Sequence, residues 1–223
     1  MKIITVRNVD TFIAKIRPNT PQKNKKQVKK ILTDVQKNGD LAIKKYEKKF
    51  GAKIDSLRIS SKDVEYAYSR VSKNEINAIK FAKKRLENSE RLVKSNLKNI
   101  TIKDGDVKIS KNFSPIESVG CYIPGGLARY PSSAIMSVTP AKIAGVKRIV
   151  VVSPPNKRGK IDPLTLVASD ICGATEIYKT GGAQAIAALS YGTKSIKPVD
   201  KIVGPGGSFV TIAKSMISDK TAI

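Results

Sequence analysis

The sequence predicts an α/β fold, with a parallel sheet unit in its second half and a mainly helical segment before it. Three observations carry this. Short apolar runs at 118–122, 148–152, 176–179 and 201–203 start 30, 28 and 25 residues apart. Helix-patterned stretches at 132–144, 163–172 and 183–190 fill the gaps, and Gly145, Gly173 and Gly192 sit near their ends. Strands joined by helical crossovers at this spacing lie parallel, and runs such as R-I-V-V-V suit burial on both faces. The unit is Rossmann-like. Residues 1–115 offer amphipathic helices and one hairpin but no sheet for those helices to cover, so they look like part of a second, incomplete Rossmann-like domain. The chain divides into a helical segment at 1–115 and a Rossmann-like domain at 116–223.

Each element has a local cause. Asn19, Thr20 and Pro21 open a helix, with Thr as cap and Pro at the first helical position. Val28, Ile31, Leu32 and Val35 recur at helical spacing, and Asn38-Gly39 ends that run. A second helix presents Leu41, Ala42, Tyr46 and Lys49 and stops at Gly51. Ser72 and Glu75 form a capping box for a longer helix with Ile76, Ile79, Ala82 and Leu86 on one face. I-T-I-K and V-K-I-S around an Asp104-Gly105 turn predict a hairpin. In the second half, Pro140 is expected to kink or split the helix at 132–144.

Composition narrows the function classes. The formal net charge is +24, from 42 Lys and Arg against 18 Asp and Glu. Such a surface suits phosphate contact. Yet 33 of the 42 bases are Lys, whereas base-edge readers favour Arg forks, and aromatics are only 5%. The lysines fall on the polar faces of periodic segments, so solvated helix faces are favoured over a nucleic-acid surface. No apolar run reaches the length of a membrane span, and Met1 to Asn8 lacks the apolar centre of a signal peptide. Cys121 and Cys172, 51 residues apart, have neither disulfide-framework nor metal spacing and read as small buried residues of a reducing cytoplasm. There is no histidine, which removes the commonest general base and the commonest zinc ligand.

In open α/β sheets, ligands bind at the carboxyl ends of the strands. Here the first strand runs into Tyr122-Ile-Pro-Gly-Gly126, the second into Ser153-Pro-Pro155, the third into Thr180-Gly-Gly-Ala-Gln184 and the fourth into Gly204-Pro-Gly-Gly207. Three of these four loops hold a glycine pair, and glycine lets backbone N–H groups approach a ligand. G-x-x-x-x-G-K-[ST] is absent, and Gly204-Pro-Gly-Gly-Ser-Phe209 has Phe where a G-x-G-x-x-G fingerprint has its third glycine. Gln184 suits a ribose or a carboxamide, or a plain helix cap. Tyr122 suits a ligand, or is an ordinary half-buried aromatic at a strand end.

These motifs resemble one family. S-V-G-C-Y-I-P-G-G, Y-P-S-S-A-I-M-S-V-T-P-A-K-I-A-G-V, V-V-S-P-P, G-G-A-Q-A-I-A-A-L-S-Y-G-T and V-D-K-I-V-G-P-G are similar, in this order from about Ser118 to Ala222, to histidinol dehydrogenases. N-G-D-L-A-I-K-K-Y extends the likeness into the first half. The resemblance implies a zinc- and NAD-dependent oxidoreductase of histidine biosynthesis that oxidises L-histidinol to L-histidine as a cytoplasmic homodimer. It places NAD contacts at Tyr122 and Gln184. A third contact, an asparagine in the family, falls on Gly207. Losing that side-chain hydrogen bond costs about 0.5–1.5 kcal/mol, up to roughly tenfold in affinity.

The resemblance also implies a deficit. In the family the zinc ligands (histidines, a glutamine and an aspartate) and the adjacent Glu and His that move protons come later in the chain. Ile223 follows Thr-Ala with no cap or polar tail and reads as a cut. No catalytic or metal-ligating residue is therefore assigned, and the 223-residue chain alone is expected to be inactive. The alternatives are a non-catalytic nucleotide-binding module and, less favoured, a Lys-rich nucleic-acid-binding protein.

Overall fold

The computed structural model describes residues 5–16, 22–126 and 128–223. Eight helices and six strands occur among them: α1 (Val9–Ile16), α2 (Gln22–Lys49), α3 (Ser61–Ser69), α4 (Lys73–Ser95), β1 (Ile100–Asp104), β2 (Val107–Lys111), β3 (Ser118–Tyr122), α5 (Pro131–Ala144), β4 (Arg148–Ser153), α6 (Pro163–Cys172), β5 (Glu176–Lys179), α7 (Gly182–Tyr191), β6 (Lys201–Val203) and α8 (Ser208–Ile217). The Asn19-Thr20-Pro21 helix start lies outside the described residues.

The four later strands form one parallel sheet in the order β5-β4-β3-β6. The order reverses beside β3, because the chain first moves outward to β4 and β5 and then returns to β6 on the other side. Neighbouring βα loops splay apart at such a point, and the crevice between them is where open α/β sheets take ligands. Both sheet edges carry a single further bridge, Arg58 to Tyr178 on β5 and Ala222 to Lys201 on β6.

Alternation along the strands divides the interior into two cores. Val119, Cys121, Ile149, Val151 and Ile177 point to one face, where α5 and α6 pack. Tyr122, Val150, Val152, Tyr178 and Ile202 point to the other, where α7 and α8 pack. The helices of the first half find their cover here. α2 packs on α7 and α8, α3 on α6, and α4 on α5 and α6. Both cysteines are free and buried.

The strands β3, β5 and β6 have the predicted bounds, β4 runs one residue further, and Gly145, Gly173 and Gly192 cap α5, α6 and α7. Ser72 and Glu75 make the expected reciprocal cap. Other expectations are corrected. Leu41 and Lys49 are exposed, Leu41 at 77%, and the buried stripe is Ala42, Ile43, Tyr46 and Glu47. The break expected at Asn38-Gly39 is present, with Gly39 at φ 52° and ψ −128°, and the run after it turns a neighbouring stripe inward against α7. Ala82 is likewise exposed, while Ile79 is buried. Pro140 does not split α5. The carbonyl it leaves unbonded is that of Met136, whose side chain is exposed, so solvent is at hand on that side. The hairpin loop is Gly105-Asp106, one residue later than expected, because Asp104 pairs with Val107. α1 and α3 have no counterpart in the sequence reading. The helix α3 is only nine residues long, and its capping box is built on Ser60 and Asp63.

The reset stripe on α2 is directly testable. Ile43→Ala should lower the unfolding free energy in urea by about 2–5 kcal/mol, whereas Leu41→Ala should stay within about 0.5 kcal/mol of the parent.

Candidate functional site

The sheet places all four βα loops at one end. Beside the first three of them lies a cleft of about 370 Å3, walled by Phe50 just after α2, Pro154 and Pro155 after β4, and Phe209 of α8, with Glu47 and Gln184 among its polar residues. A smaller cavity, of about 190 Å3, lies between α3 and the 156–160 turn, away from the glycine pairs.

The two residues expected to contact a cofactor meet at this end. Tyr122 is the last residue of β3, buried on the α7 side of the sheet. Its hydroxyl accepts a hydrogen bond from the Gly182 N–H at 3.1 Å. Burial raises its pKa, the Gly182 N–H lowers it, and the Glu47 charge raises it. Gln184 lies in the first turn of α7 and is 2% exposed. It does not cap its helix. Its Nε2 donates to Glu47 Oε1 at 3.0 Å, and its own Oε1 has no hydrogen-bond partner among the described residues. A buried amide oxygen without a partner costs about 1–3 kcal/mol, so a group that satisfies it gains accordingly.

Glu47 is the residue that sequence reasoning misses. It stands 3% exposed, and its Oε1 also accepts from Thr180 Oγ1 and from the Gly181 N–H, each at 2.9 Å. In a capping box the third helical residue would reach back to that N–H, but here a carboxylate from α2 does so. Its negative charge also suits the α7 N-terminus. Burial pushes its carboxyl above the usual 4.5, against the opposing pull of the Gly181, Gln184 and Thr180 hydrogen bonds. A signal for it exists in the sequence. Glu47 follows Ile43 by four residues, which puts an acid on the buried stripe of an otherwise Lys-rich helix.

This corrects one expectation about the glycine loops. The N–H groups of Gly181 and Gly182 are already bonded to Glu47 and Tyr122, so this loop does not offer them to an anion. The 204–207 turn differs. Gly207 caps α8 with no side-chain hydrogen bond. Gly204 has φ 103°, and a Cβ there would strike the Tyr122 carbonyl oxygen. The half-buried Lys214 Nζ donates to Gly204 O at 2.7 Å and fastens the turn to α8, and burial lowers its pKa. At Gly207 a Cβ would meet open space.

Among the described residues no group of three or more His, Cys, Asp or Glu side chains could hold a metal ion. Zinc thus finds no donor set in these residues, and no step is derived through it. For a dinucleotide the cleft offers one unsatisfied group, the buried Gln184 amide oxygen that stands unpaired beside it.

The family model for histidinol dehydrogenase matches residues 15–223. The chain belongs to the histidinol dehydrogenase family. It is 47% identical over 197 residues to the histidinol dehydrogenase of Methanococcus maripaludis, covering 88% of this chain and 46% of the relative. With that of Archaeoglobus fulgidus it shares 45% over 219 residues, covering 97% and 50%. The crystal structure of histidinol dehydrogenase from Elizabethkingia anophelis superposes with a TM-score of 0.86 at 34% identity, over 93% of this chain and 48% of that one. The chain spans about half the length of the histidinol dehydrogenases it matches.

Two outcomes are expected. Gly204→Ala forces both an unfavourable φ and a backbone collision, and should destabilise the fold by more than about 2 kcal/mol in chemical denaturation. Glu47 should leave a pH signature. Its folded-state pKa lies above the unfolded one, so the folded chain holds the extra proton between the two values. The contribution to stability is full below about 4.5 and falls as pH rises through the raised value. Glu47→Gln removes that loss, so the variant's melting temperature minus the parent's should increase as pH rises above 4.5. A gap independent of pH would contradict this account.

Proposed function

We propose that this chain is the NAD-binding half of a histidinol dehydrogenase, with Tyr122 and Gln184 as cofactor contacts. The observation that carries the reading is the meeting of these two residues with the glycine turns at the carboxyl end of one parallel sheet, in a chain of this family. Tyr122 holds the Gly182 turn from below, and Gln184 supplies a buried acceptor. The turn after β6 supplies backbone N–H groups of α8 suited to a diphosphate. NAD, when bound, supplies the hydride acceptor for alcohol oxidation.

The reaction we assign to the complete enzyme is oxidation of L-histidinol to L-histidine, with zinc, as a cytoplasmic homodimer. We assign residues 1–115 to the helical part of a first domain and residues 116–223 to the cofactor domain. Oxidation also needs a base for the hydroxyl proton, and this histidine-free chain presents none that we assign. The 223-residue chain alone should therefore bind NAD without turning over L-histidinol.

Calorimetric titration with NAD, and NADH formation from L-histidinol with added zinc, test both halves of this reading. Saturable binding without NADH is expected. No binding at millimolar NAD would refute the cofactor assignment, and sustained NADH production would refute the inactivity. Gly207→Asn restores the side-chain group and has room for it, so NAD affinity should rise by up to about tenfold.

A further inference from the structure

Dinucleotide-binding α/β folds usually take the ribose hydroxyls on an Asp or Glu that follows the second strand, some 20 residues beyond the first glycine turn. This chain has no acid there. Its second parallel strand, β4, ends in Ser153 and runs into Pro154 and Pro155. Both prolines line the cleft, and the one acidic residue lining it among the described residues is Glu47.

We propose that Glu47, delivered from α2, is the residue that recognises the ribose and selects NAD over NADP. The proposal rests on the reading of the cleft as a cofactor site. Its geometry favours recognition over a purely structural role. All three hydrogen bonds from the 180–184 loop fall on one oxygen, Oε1, from Thr180 Oγ1, the Gly181 N–H and Gln184 Nε2. A backbone N–H can only donate, so Oε1 is an acceptor and the carboxylate plane is fixed. Oε2 takes no hydrogen bond from the described residues, and the residue lines the cleft. What remains for a ligand is thus Oε2, held in place by its partner oxygen and, in the ionised carboxylate, a negatively charged acceptor. A ribose hydroxyl donates to it. A ribose 2′-phosphate brings acceptor against acceptor and like charge against like charge, beside a carboxylate that is only 3% exposed and so weakly screened by water.

The decisive measurement is the ratio of NADP to NAD dissociation constants, determined by calorimetry for the parent protein, Glu47→Gln and Glu47→Ala. A purely structural role would weaken both ligands alike and leave the ratio unmoved. The parent should prefer NAD by about tenfold or more, and the ratio should fall toward about one in Glu47→Gln. The amide introduced by Glu47→Gln keeps a carbonyl for the three loop donors, so this variant should stay folded. Glu47→Ala should lose the preference too, together with NAD affinity. A parent without preference, or a Glu47→Gln ratio equal to the parent's, overturns the proposal. If the parent binds neither dinucleotide, the cofactor reading fails, and adenosine against adenosine 2′-phosphate then probes the cleft. A preference for adenosine that vanishes in Glu47→Gln would uphold the role of Glu47, and its absence would overturn it.

Discussion

Four parallel strands buried on both faces impose a requirement on everything around them. Because successive side chains point to opposite sides, Ile149 and Val151 enter one core while Val150 and Val152 enter the other, and both sides must be covered. The crossover helices α5, α6 and α7 provide a first cover. They are themselves strongly apolar, with nearly every residue of α7 buried, so they need a second one. The helices α2, α3 and α4 supply it. Amphipathic helices that have no sheet of their own in the sequence thereby become the outer layer of the only parallel sheet described.

That second layer is what equips the cleft. α2 packs against α7 for reasons of apolar burial, through Val28, Ile31, Val35, Ala42, Ile43 and Tyr46. The same stripe carries Glu47 to the start of α7, where three donors converge on one carboxylate oxygen. Burying a carboxyl is unfavourable unless it is hydrogen-bonded, and its raised pKa records the part that the three bonds do not offset. The helix that supplies apolar packing therefore also carries the one acidic residue lining the cleft among the described residues. Disturbing the Gly39 bend would be expected to move both.

The glycine turns have unequal roles despite their similar sequences. After β5 the turn is bonded inward, to Glu47 and to the Tyr122 hydroxyl, and acts as part of the scaffold. After β6 the turn is fastened to α8 by Lys214 at Gly204 and by Thr211 at Gly207, and the α8 N-terminus carries no side-chain cap. An uncapped helix N-terminus favours negative charge, so the α8 end suits an anionic group, while the α7 side presents acceptors. That asymmetry suits a dinucleotide, which has a charged middle and hydroxyl-bearing riboses.

The sequence by itself determined the parallel sheet, because burial on both faces writes unbroken apolar runs such as R-I-V-V-V, and crossover geometry fixes their spacing. It also determined the family, through motifs concentrated in the loops at the strand ends, and with it Tyr122 and Gln184 as the residues to examine. Local capping was legible as well, since Ser72 and Glu75 act within one turn of each other. Tertiary structure alone decided which face of α2 is buried beyond the Asn38-Gly39 break, because packing against α7 and α8 selects it. It alone decided that Pro140 is tolerated within α5. It alone placed Glu47 beside Gln184, 137 positions apart in the chain. A hydrogen bond across that separation has no local trace. It exists only because hydrophobic burial brings two helices together whose sequences contain no statement about each other.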